Sequence, residues 1–302
     1  MAVNPRIPLF DRASGKMTEE TVFKGNFLLF HYGHWFGRLL TWLLYSRIYY
    51  SKIYGFFQRT KSSRAGIEAF IKTYGVRADE AEKPPDQYRD FNEFFTRRLK
   101  PGLRPVDQNP AALIAPCDGR LLAYRLDGDT AVPVKGRAIS VRALLGDNTL
   151  AGKYQGGLCL VFRLAPADYH RFCYVDNGWH GPVRRLGGRL HSVHPLCLSS
   201  GAPVFEVNYR ELCVLETENF GDVVHIDVGA MRVGKICQSK PEGGSFSRGE
   251  EKGYFEFGAS TVILVLAAGM AEVDADIALR SREGIETLVK MGEKTGYRLA
   301  PG

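Results

Sequence analysis

The stretch DVVHIDVGAMRVGKI, residues 222–236, decides the fold of this chain. In it, valine and isoleucine at every second position alternate with His225 and Asp227, the pattern of a β-strand with one buried and one solvated face. Further short apolar runs, separated by turn residues, follow from residue 110 onward. They are LLAYRL (121–126), AVPVKG (131–136), GLCLVFRLA (157–165), ELCVLETE (211–218) and STVILVLAAG (260–269). Because no strand-helix repeat occurs, the pattern disfavours a doubly wound parallel sheet, and we expect an α+β fold with a predominantly antiparallel, β-rich domain.

The composition limits the possible functions. The chain has 302 residues, of which 45% are apolar and 24% are charged, as in an ordinary globular protein. Lys and Arg number 40 against 33 Asp and Glu, and the net charge of +7 favours an anionic partner: nucleic acid, phosphate or acidic lipid. The six cysteines form no C-x-x-C pair, so we expect free thiols in a reducing compartment. The N-terminus lacks the pattern of a secretory signal, and we expect the protein on the cytoplasmic side.

The most aromatic part of the chain is FKGNFLLFHYGHWFGRLLTWLLYSRIYYSKIYGFF, residues 23–57. Its longest uncharged runs have 13 and 8 residues, whereas a membrane-spanning helix needs about 20 apolar residues. His34, Arg38 and Thr41 share one helical face, and apolar side chains occupy the other. Together with the abundant Trp and Tyr, this pattern predicts amphipathic helices that lie in the plane of membrane headgroups. The alternative is an ordinary core helix of a soluble domain.

Three parts follow one another along the chain. Residues 1–60 form the amphipathic, membrane-proximal segment, residues 61–104 contain helices and a linker, and residues 105–302 form the β-rich domain. In the middle part, apolar residues at helical spacing precede Gly75, which predicts a short helix that ends there. Asp90, followed three residues later by a glutamate, has the pattern of a capping box and begins a second helix.

Several widespread catalytic motifs are absent from the sequence, among them G-x-G-x-x-G, the P-loop, G-x-S-x-G and H-E-x-x-H. The H-x-x-H of His191 and His194 is poorly spaced for a metal on a strand, so we expect no metal ion. Three segments remain as candidates for chemistry: APCDG with Asp118, RLAPADYHRFCYVDNG with His170, and GEEKGYFEFGASTVILV with Ser260. Each alone has an ordinary structural explanation as a turn, a buried histidine or the edge of a strand.

Taken together, these segments resemble the pyruvoyl-dependent phosphatidylserine decarboxylase proenzymes. The resemblance covers nearly the whole chain and includes FNEFFTRRLKPGLRPVD, APCDG, P-x-D-Y-H-R, LHSVHPL and KGYFEFGASTVIL. It implies that the chain cuts itself between Ala259 and Ser260, and that Ser260 becomes a covalent pyruvoyl cofactor. It further implies that phosphatidylserine is converted to phosphatidylethanolamine and CO2 through a Schiff base, at the cytoplasmic face of the cell membrane. The resulting α and β chains would stay together in a homodimer.

The resemblance assigns catalytic roles to Ser260, Asp118 and His170. Ser260 and Asp118, with a histidine, match the family's Asp-His-Ser triad for self-cleavage, and His170 matches the residue that protonates the product carbon. Many members of the family read Y-H-R-x-H, but Cys173 stands at the second histidine here. A thiol with a pKa near 8.5 is a poorer base at neutral pH than an imidazole with a pKa near 6.5. Either His170 itself is the base, or a histidine elsewhere in the chain takes this role, or self-cleavage is impaired.

His194 and His191 are the further candidates for this base, and Arg171 and His191 are candidates for binding the substrate. A second departure from the family pattern is Ala259, where the longer family motif has glycine. The added Cβ is expected to slow the cut, because glycine tolerates unusual backbone geometry. These departures keep open an alternative function, an unprocessed homologue that binds anionic lipid without catalysis. A weaker alternative is a pyruvoyl enzyme that acts on a different amino-acid headgroup.

Overall fold

The chain is described by a computed structural model that covers residues 6–21, 30–31, 33–46, 48–126, 132–134, 137–194, 197, 204–230, 235–258 and 260–300. The strands are β1 (Arg6–Asp11), β2 (Lys16–Thr21), β3 (Ala112–Ile114), β4 (Gly119–Arg125), β5 (Val132–Val134), β6 (Arg137–Ile139), β7 (Leu158–Leu164), β8 (Arg171–Cys173), β9 (Gly178–His180), β10 (Arg184–Leu186), β11 (Arg210–Thr217), β12 (Gly221–Gly229), β13 (Ile236–Gln238), β14 (Gly244–Phe246), β15 (Glu251–Phe255), β16 (Ser260–Leu266), β17 (Ala271–Val273), β18 (Glu286–Val289) and β19 (Lys294–Arg298). The α-helices are α1 (Trp35–Leu40), α2 (Ile48–Gln58), α3 (Ile67–Tyr74), α4 (Phe91–Phe95), α5 (Val141–Leu145), α6 (Asn148–Gly152), α7 (Val204–Val207) and α8 (Ala275–Arg282).

A large sheet forms the centre of the fold. Its strand order is β14-β9-β11-β12-β16-β7-β4-β18-β1-β2, and β10 pairs with the outer side of β11. Paired strands are antiparallel throughout the described ranges, except that β1 runs parallel to β18. Two three-stranded sheets, β13-β15-β8 and β17-β19-β3, and the pair β5-β6 complete the strand pairing. The predicted α+β class with a mainly antiparallel sheet is confirmed.

The middle of the large sheet is buried on both faces. All seven residues of β16 are buried, and so are all seven residues of its neighbour β7. Their nearly continuous apolar sequences are what a strand covered on both faces requires. β16 lies between β12 and β7, so that Ser260 stands opposite Gly229 on one side and Leu164 on the other. The fold therefore places Ser260 at the first position of a central strand.

The prediction that β12 has a solvated face is wrong. His225 and Asp227 are fully buried, because the small sheet β13-β15-β8 supplies polar partners to that face. Lys252 of β15 donates to one Asp227 oxygen at 2.8 Å, and His225 Nε2 lies 2.9 Å from the other. Burial raises the pKa of Asp227, but the charges of Lys252 and His225 outweigh this and hold the pKa well below its usual range. The alternating sequence of β12 had indicated that His225 and Asp227 face solvent, but buried ion pairing takes the place of water at this face.

The two helices predicted between residues 61 and 104 are confirmed. α3 ends where Gly75 adopts a left-handed φ of 65°, which glycine does without steric cost. Asp90 caps α4 by accepting the Glu93 N–H at 2.9 Å. These helices enclose an aromatic core of their own, against which Phe257 packs from the segment before β16. The aromatic members of this core are Phe70, Tyr88, Phe91, Phe94 and Phe95.

Residues 1–60 contain two different kinds of structure. β1 and β2 form a hairpin, not predicted from the sequence, that extends the large sheet. α1, a π-helical turn over residues 41–45 and α2 follow, and no helix in the described part is long and apolar enough to cross a membrane. Thr41 is buried and donates to the Gly37 carbonyl at 2.9 Å, whereas Phe36 and Leu43 are exposed. In α1 and the π-helical turn, apolar side chains therefore face outward.

Candidate active site

Ser260 is the residue around which the site is built. It is fully buried, and its Oγ lies 3.4 Å from Nδ1 of His170. The two residues are 90 positions apart in sequence and meet because His170 directly precedes β8, whose partner β15 leads into β16. A hydroxyl facing an imidazole nitrogen is the arrangement of an activated nucleophile and its base, and apo sites often show it slightly long.

The tautomer of His170 follows from its second nitrogen. Nε2 lies 3.1 Å from the carbonyl oxygen of Ala165, which can only accept a hydrogen bond, so Nε2 carries the proton. Nδ1 then presents its lone pair to the Ser260 hydroxyl. Burial, followed by the charge of Arg97, lowers the pKa of His170 from 6.5 to about 3. His170 is therefore a neutral base at physiological pH, oriented by a backbone carbonyl.

Neighbouring side chains fix the position of this ring and of the turn that holds it. Phe95 stacks on His170 with 4.1 Å between ring centroids. Asp168 accepts the Ala165 N–H at 2.6 Å and forms an ion pair with Arg120, which closes the turn. Asp168 lies in the candidate segment RLAPADYHRFCYVDNG, but the sequence pattern indicated no role for it or for Phe95. Both residues stand in the quoted motifs, but only tertiary structure shows that they contact His170 or its turn.

The segment before Ser260 is held by the helical part of the chain. Phe257 packs with 4.9 Å between its ring centroid and those of Phe91 and Phe95. Its backbone N–H donates to Asn92 Oδ1 at 3.2 Å. Glu256, one residue earlier, is paired with an arginine at the end of α2. The chain entering the site is therefore anchored immediately upstream of the nucleophile.

The backbone turns sharply just before the nucleophile. Gly258 has a φ of 144°, a conformation that L residues rarely adopt, so glycine is required at this position. Ala259 lies outside the described residues, and its place in the cut stays a prediction.

Comparison with known proteins assigns the chain to a family. Residues 91–297 match the family model described as phosphatidylserine decarboxylase. A phosphatidylserine decarboxylase proenzyme of Ruminiclostridium cellulolyticum is 40% identical over 96% of this chain and 97% of its own length. Phosphatidylserine decarboxylase proenzyme 2 of Clostridium acetobutylicum is 40% identical, covering 96% and 98%, and the proenzyme of Clostridium beijerinckii is 36% identical, covering 97% and 99%. The chain belongs to the phosphatidylserine decarboxylase family.

Asp118 forms its hydrogen bonds with residues other than His170. Arg104 donates to its two oxygens at 2.8 and 2.7 Å, Lys290 Nζ lies at 3.2 Å and the Met291 N–H donates at 2.9 Å. Burial raises the pKa of Asp118, but the Arg104 hydrogen bonds and the Lys290 charge outweigh it, so the pKa is lowered and the carboxylate is ionised. Among the described residues none of its hydrogen bonds goes to His170, and the Ala165 carbonyl has the orienting position instead.

Cys173 occupies the position of the second histidine in the family pattern, and its environment is that of a structural thiol. It is buried in β8, with its Sγ 4.0 Å from the carbonyl oxygen of Ala115. Burial raises the pKa of this thiol to about 12, so it stays protonated at neutral pH. A protonated thiol has no capacity to act as a base, which favours His170 for that role.

The remaining predicted residues, His191, His194 and Arg171, form hydrogen bonds with other described residues. The His191 N–H donates to Asn208 at 2.9 Å, and the His194 N–H donates to the Ser192 hydroxyl at 3.2 Å, both in the loop after β10. Burial lowers the pKa of His191 to about 4. Arg171 contacts both oxygens of Glu251 at 2.8 Å and donates to a backbone carbonyl of the α4 C-terminus. These engagements give Arg171 a structural role; its assignment to substrate binding stays a prediction.

Proposed function

We propose that this chain is a self-cleaving, pyruvoyl-dependent phosphatidylserine decarboxylase that produces phosphatidylethanolamine and CO2. Family membership supports the substrate and the proenzyme state. The observation that carries the chemistry is the contact between the Ser260 hydroxyl and the unprotonated Nδ1 of His170. Neutral His170 is both close enough and in the right protonation state to remove the hydroxyl proton.

The proposed cut begins at Ser260. Its Oγ gives its proton to His170 Nδ1 and bonds to the carbonyl carbon of Ala259, while the bond from that carbon to the Ser260 nitrogen breaks. The nitrogen takes up a proton, which completes an N-to-O acyl shift. In the elimination that follows, the Ser260 Cα loses its proton to a base and the Cβ–Oγ bond breaks, so that the carboxylate of Ala259 leaves and position 260 becomes dehydroalanine. Water then adds to the imine tautomer of this residue, which releases ammonia and leaves a pyruvoyl group at position 260. The products are the chain 1–259 and a chain of 43 residues.

The residues around Ser260 fit such a group. The position is fully buried, which excludes bulk water, and His170 stands within hydrogen-bond distance of it. When formed, the pyruvoyl group supplies a carbonyl that condenses with the substrate amine and withdraws the electrons released as CO2 leaves. Because the resting imidazole is neutral, His170 Nδ1 has to take up a proton before it delivers one to the substrate carbon, and the Ala165 carbonyl fixes the ring orientation for this transfer.

Denaturing mass spectrometry of the purified protein tests the cut. We expect two chains that meet between residues 259 and 260, the smaller one lighter by one ammonia than a peptide that begins with serine. This mass difference reports the pyruvoyl group directly. An intact chain of 33.7 kDa after long incubation would instead support the alternative function, an unprocessed homologue that binds anionic lipid.

We also propose that the protein binds the cytoplasmic face of the membrane as a peripheral protein, through α1, α2 and the turn between them. Exposed apolar side chains are concentrated there, and the net charge of +7 favours an anionic surface. The largest are Trp35, Trp42, Tyr49, Phe56 and Phe57. The rings of Trp and Tyr suit the headgroup region, which supports a lipid surface as the partner. The homodimer implied by the resemblance stays a prediction.

A triple substitution of Trp35, Phe56 and Phe57 with serine tests the membrane surface. We expect co-sedimentation with phosphatidylglycerol vesicles to fall by about tenfold or more, because three exposed aromatic side chains no longer enter the interface. The matched control is Leu279→Ser, an exposed apolar side chain on α8. Arg59 is kept because it pairs with Glu256 beside the cut. Unchanged sedimentation of the triple variant would exclude this surface.

A further inference from the structure

Arg97, which follows α4, is a buried cation that is only partly hydrogen-bonded within the described ranges. The residue is 4% exposed, and its Nη2 donates to the carbonyl oxygens of Ala167 at 3.2 Å and Asp168 at 3.4 Å. Its Nε and Nη1 are also buried and have no hydrogen-bond partner in the described part of the chain. The guanidinium lies 5.2 Å from the ring centroid of Phe94. Within the described ranges, no carboxylate forms an ion pair with it.

Among the residues that the structure describes, the other buried or nearly buried arginines discussed below are compensated. Arg104 is paired with Asp118 and Glu80, Arg120 with Asp168, and Arg163 with Glu286 and Glu20. Arg210 lacks a carboxylate, but its Nε, Nη1 and Nη2 all donate to backbone carbonyls. Arg97 differs from them in two ways. Within the described ranges, no carboxylate pairs with its charge, and two of its three nitrogen atoms have no hydrogen-bond partner. Such a group is destabilising unless a ligand completes it.

The location of Arg97 is next to the proposed chemistry. It donates to the turn whose Ala165 carbonyl orients His170, and Phe95, two residues earlier, stacks on the His170 ring. Among charged groups, Arg97 is the one that lowers the pKa of His170 most. The uncompensated positive charge therefore stands beside the residue that contacts Ser260.

We propose that Arg97 binds the phosphodiester of the substrate headgroup. A guanidinium presents its N–H groups in a planar fork that matches phosphate oxygens. The substrate also carries a carboxylate, but that charge is lost as CO2 leaves, and a cation holding it would stabilise the ground state over the transition state. The phosphodiester keeps its charge throughout. The free chain covers these N–H groups, so binding requires the side chains over them to shift. The proposal rests on the proposed function, because it assumes that phosphatidylserine reacts at Ser260.

A binding experiment tests the proposal independently of self-cleavage. Titration calorimetry on the uncut Ser260→Ala chain would measure the binding of two ligands. Dihexanoyl phosphatidylethanolamine has a phosphodiester but no carboxylate, and L-serine has a carboxylate but no phosphodiester. We expect Arg97→Met to weaken binding of the phospholipid by about tenfold or more and to leave L-serine binding unchanged. The control is Arg98→Met, the neighbouring arginine, whose side chain is 61% exposed. Equal phospholipid affinity in the Arg97 and Arg98 variants would overturn the proposal.

Kinetics and stability distinguish a ligand-binding Arg97 from a structural one. In the cleaved enzyme, Arg97→Met should raise KM for dihexanoyl phosphatidylserine with kcat little changed, because the phosphodiester is bound equally in ground and transition states. Its melting temperature should equal or exceed that of the wild type, since an uncompensated buried charge is removed. Arg97→Lys should retain part of the binding. A large fall in melting temperature with unchanged KM would show that Arg97 only stabilises the turn. A fall in kcat alone would indicate that Arg97 contacts the reacting carboxylate. Either result contradicts the proposal.

The two levels of inference fail separately. If the wild type remains uncut but the phospholipid binds in an Arg97-dependent way, the proposed reaction is wrong and the binding site stands. If the wild type is cut and active but binding does not depend on Arg97, only the assignment of Arg97 is wrong.

Discussion

Replacing Ser260 with alanine is expected to leave the chain intact and to abolish decarboxylation. In the proposed mechanism, the Ser260 hydroxyl attacks the preceding carbonyl, and the carbon atoms of Ser260 become the pyruvoyl group. No other residue substitutes for both roles, so the loss is complete rather than partial. The measurements are the intact mass after long incubation and the release of CO2 from phosphatidylserine.

Thr261 supplies the matched control for this experiment. It follows Ser260 on β16, is equally buried, and its hydroxyl has no hydrogen-bond partner within the described residues. Thr261→Val removes that hydroxyl at nearly constant volume and should leave both cleavage and stability at or above the wild-type level. If the Ser260→Ala chain were still cut at the same bond, the nucleophile would have to be another group.

The second large effect is expected at His170. His170→Ala should slow self-cleavage by about 10²- to 10⁴-fold, the range that a positioned general base contributes. The single variants His191→Ala, His194→Ala and Cys173→Ala should be cut at rates close to the wild type, because none of these residues has the contact that His170 makes with Ser260. A block of cleavage by Cys173→Ala alone would transfer the role of base to the thiol.

The pH dependence of cleavage follows from the environment of His170. Burial lowers its pKa from 6.5 to about 3, so the imidazole is already neutral at pH 5. The rate of cleavage should therefore stay level from pH 8 to about pH 5 and decline only as the pH approaches the folded pKa. A half-maximal rate near pH 6.5 would show that the working histidine is solvated and is not His170.

The same shift makes the folded state sensitive to acid. Between the unfolded pKa of 6.5 and the folded pKa of about 3, the unfolded chain binds a proton at His170 that the folded chain excludes. The contribution to stability is full above pH 6.5 and falls as the pH drops through this window. His191, with its pKa lowered to about 4, adds to the same trend. Urea unfolding midpoints at several pH values, compared between wild type and His170→Ala, measure this contribution.

Local patterns in the sequence were sufficient for a minority of the elements. Short apolar runs predicted the strands β4, β5, β7, β11, β12 and β16. Gly75 predicted a helix end and Asp90 a helix start, because each depends on neighbours within a few residues. Ser260 and His170 were identified through motifs, and the structure brings them together. For this pair, a serine and a histidine in family motifs were sufficient to predict a nucleophile and its base.

Features that depend on distant partners were not predictable in this way. The pairing of β1 with β18 joins the two ends of the chain, and no periodicity specifies such a partner. The alternation in β12 indicated a polar face, but it contains no information on whether water or Lys252 satisfies that face. The carbonyl of Ala165 has no sequence signature because every residue possesses one. From the sequence alone, Arg97 would be interpreted as an exposed charge, and only the structure shows that it is buried.

The central position of β16 has a consequence for the lifetime of the mature protein. β16 begins at Ser260, and its pairing with β12 and β7 runs through the middle of the sheet. The sheet forms while the chain is continuous, when joining these strands is an intramolecular event with a modest entropic penalty. After the proposed cut before Ser260, β16 would belong to a separate chain of 43 residues, and refolding would require two molecules to meet. Such a cut would change a reversible folding equilibrium into a one-way loss, and the working life of the enzyme would then be set by its unfolding rate.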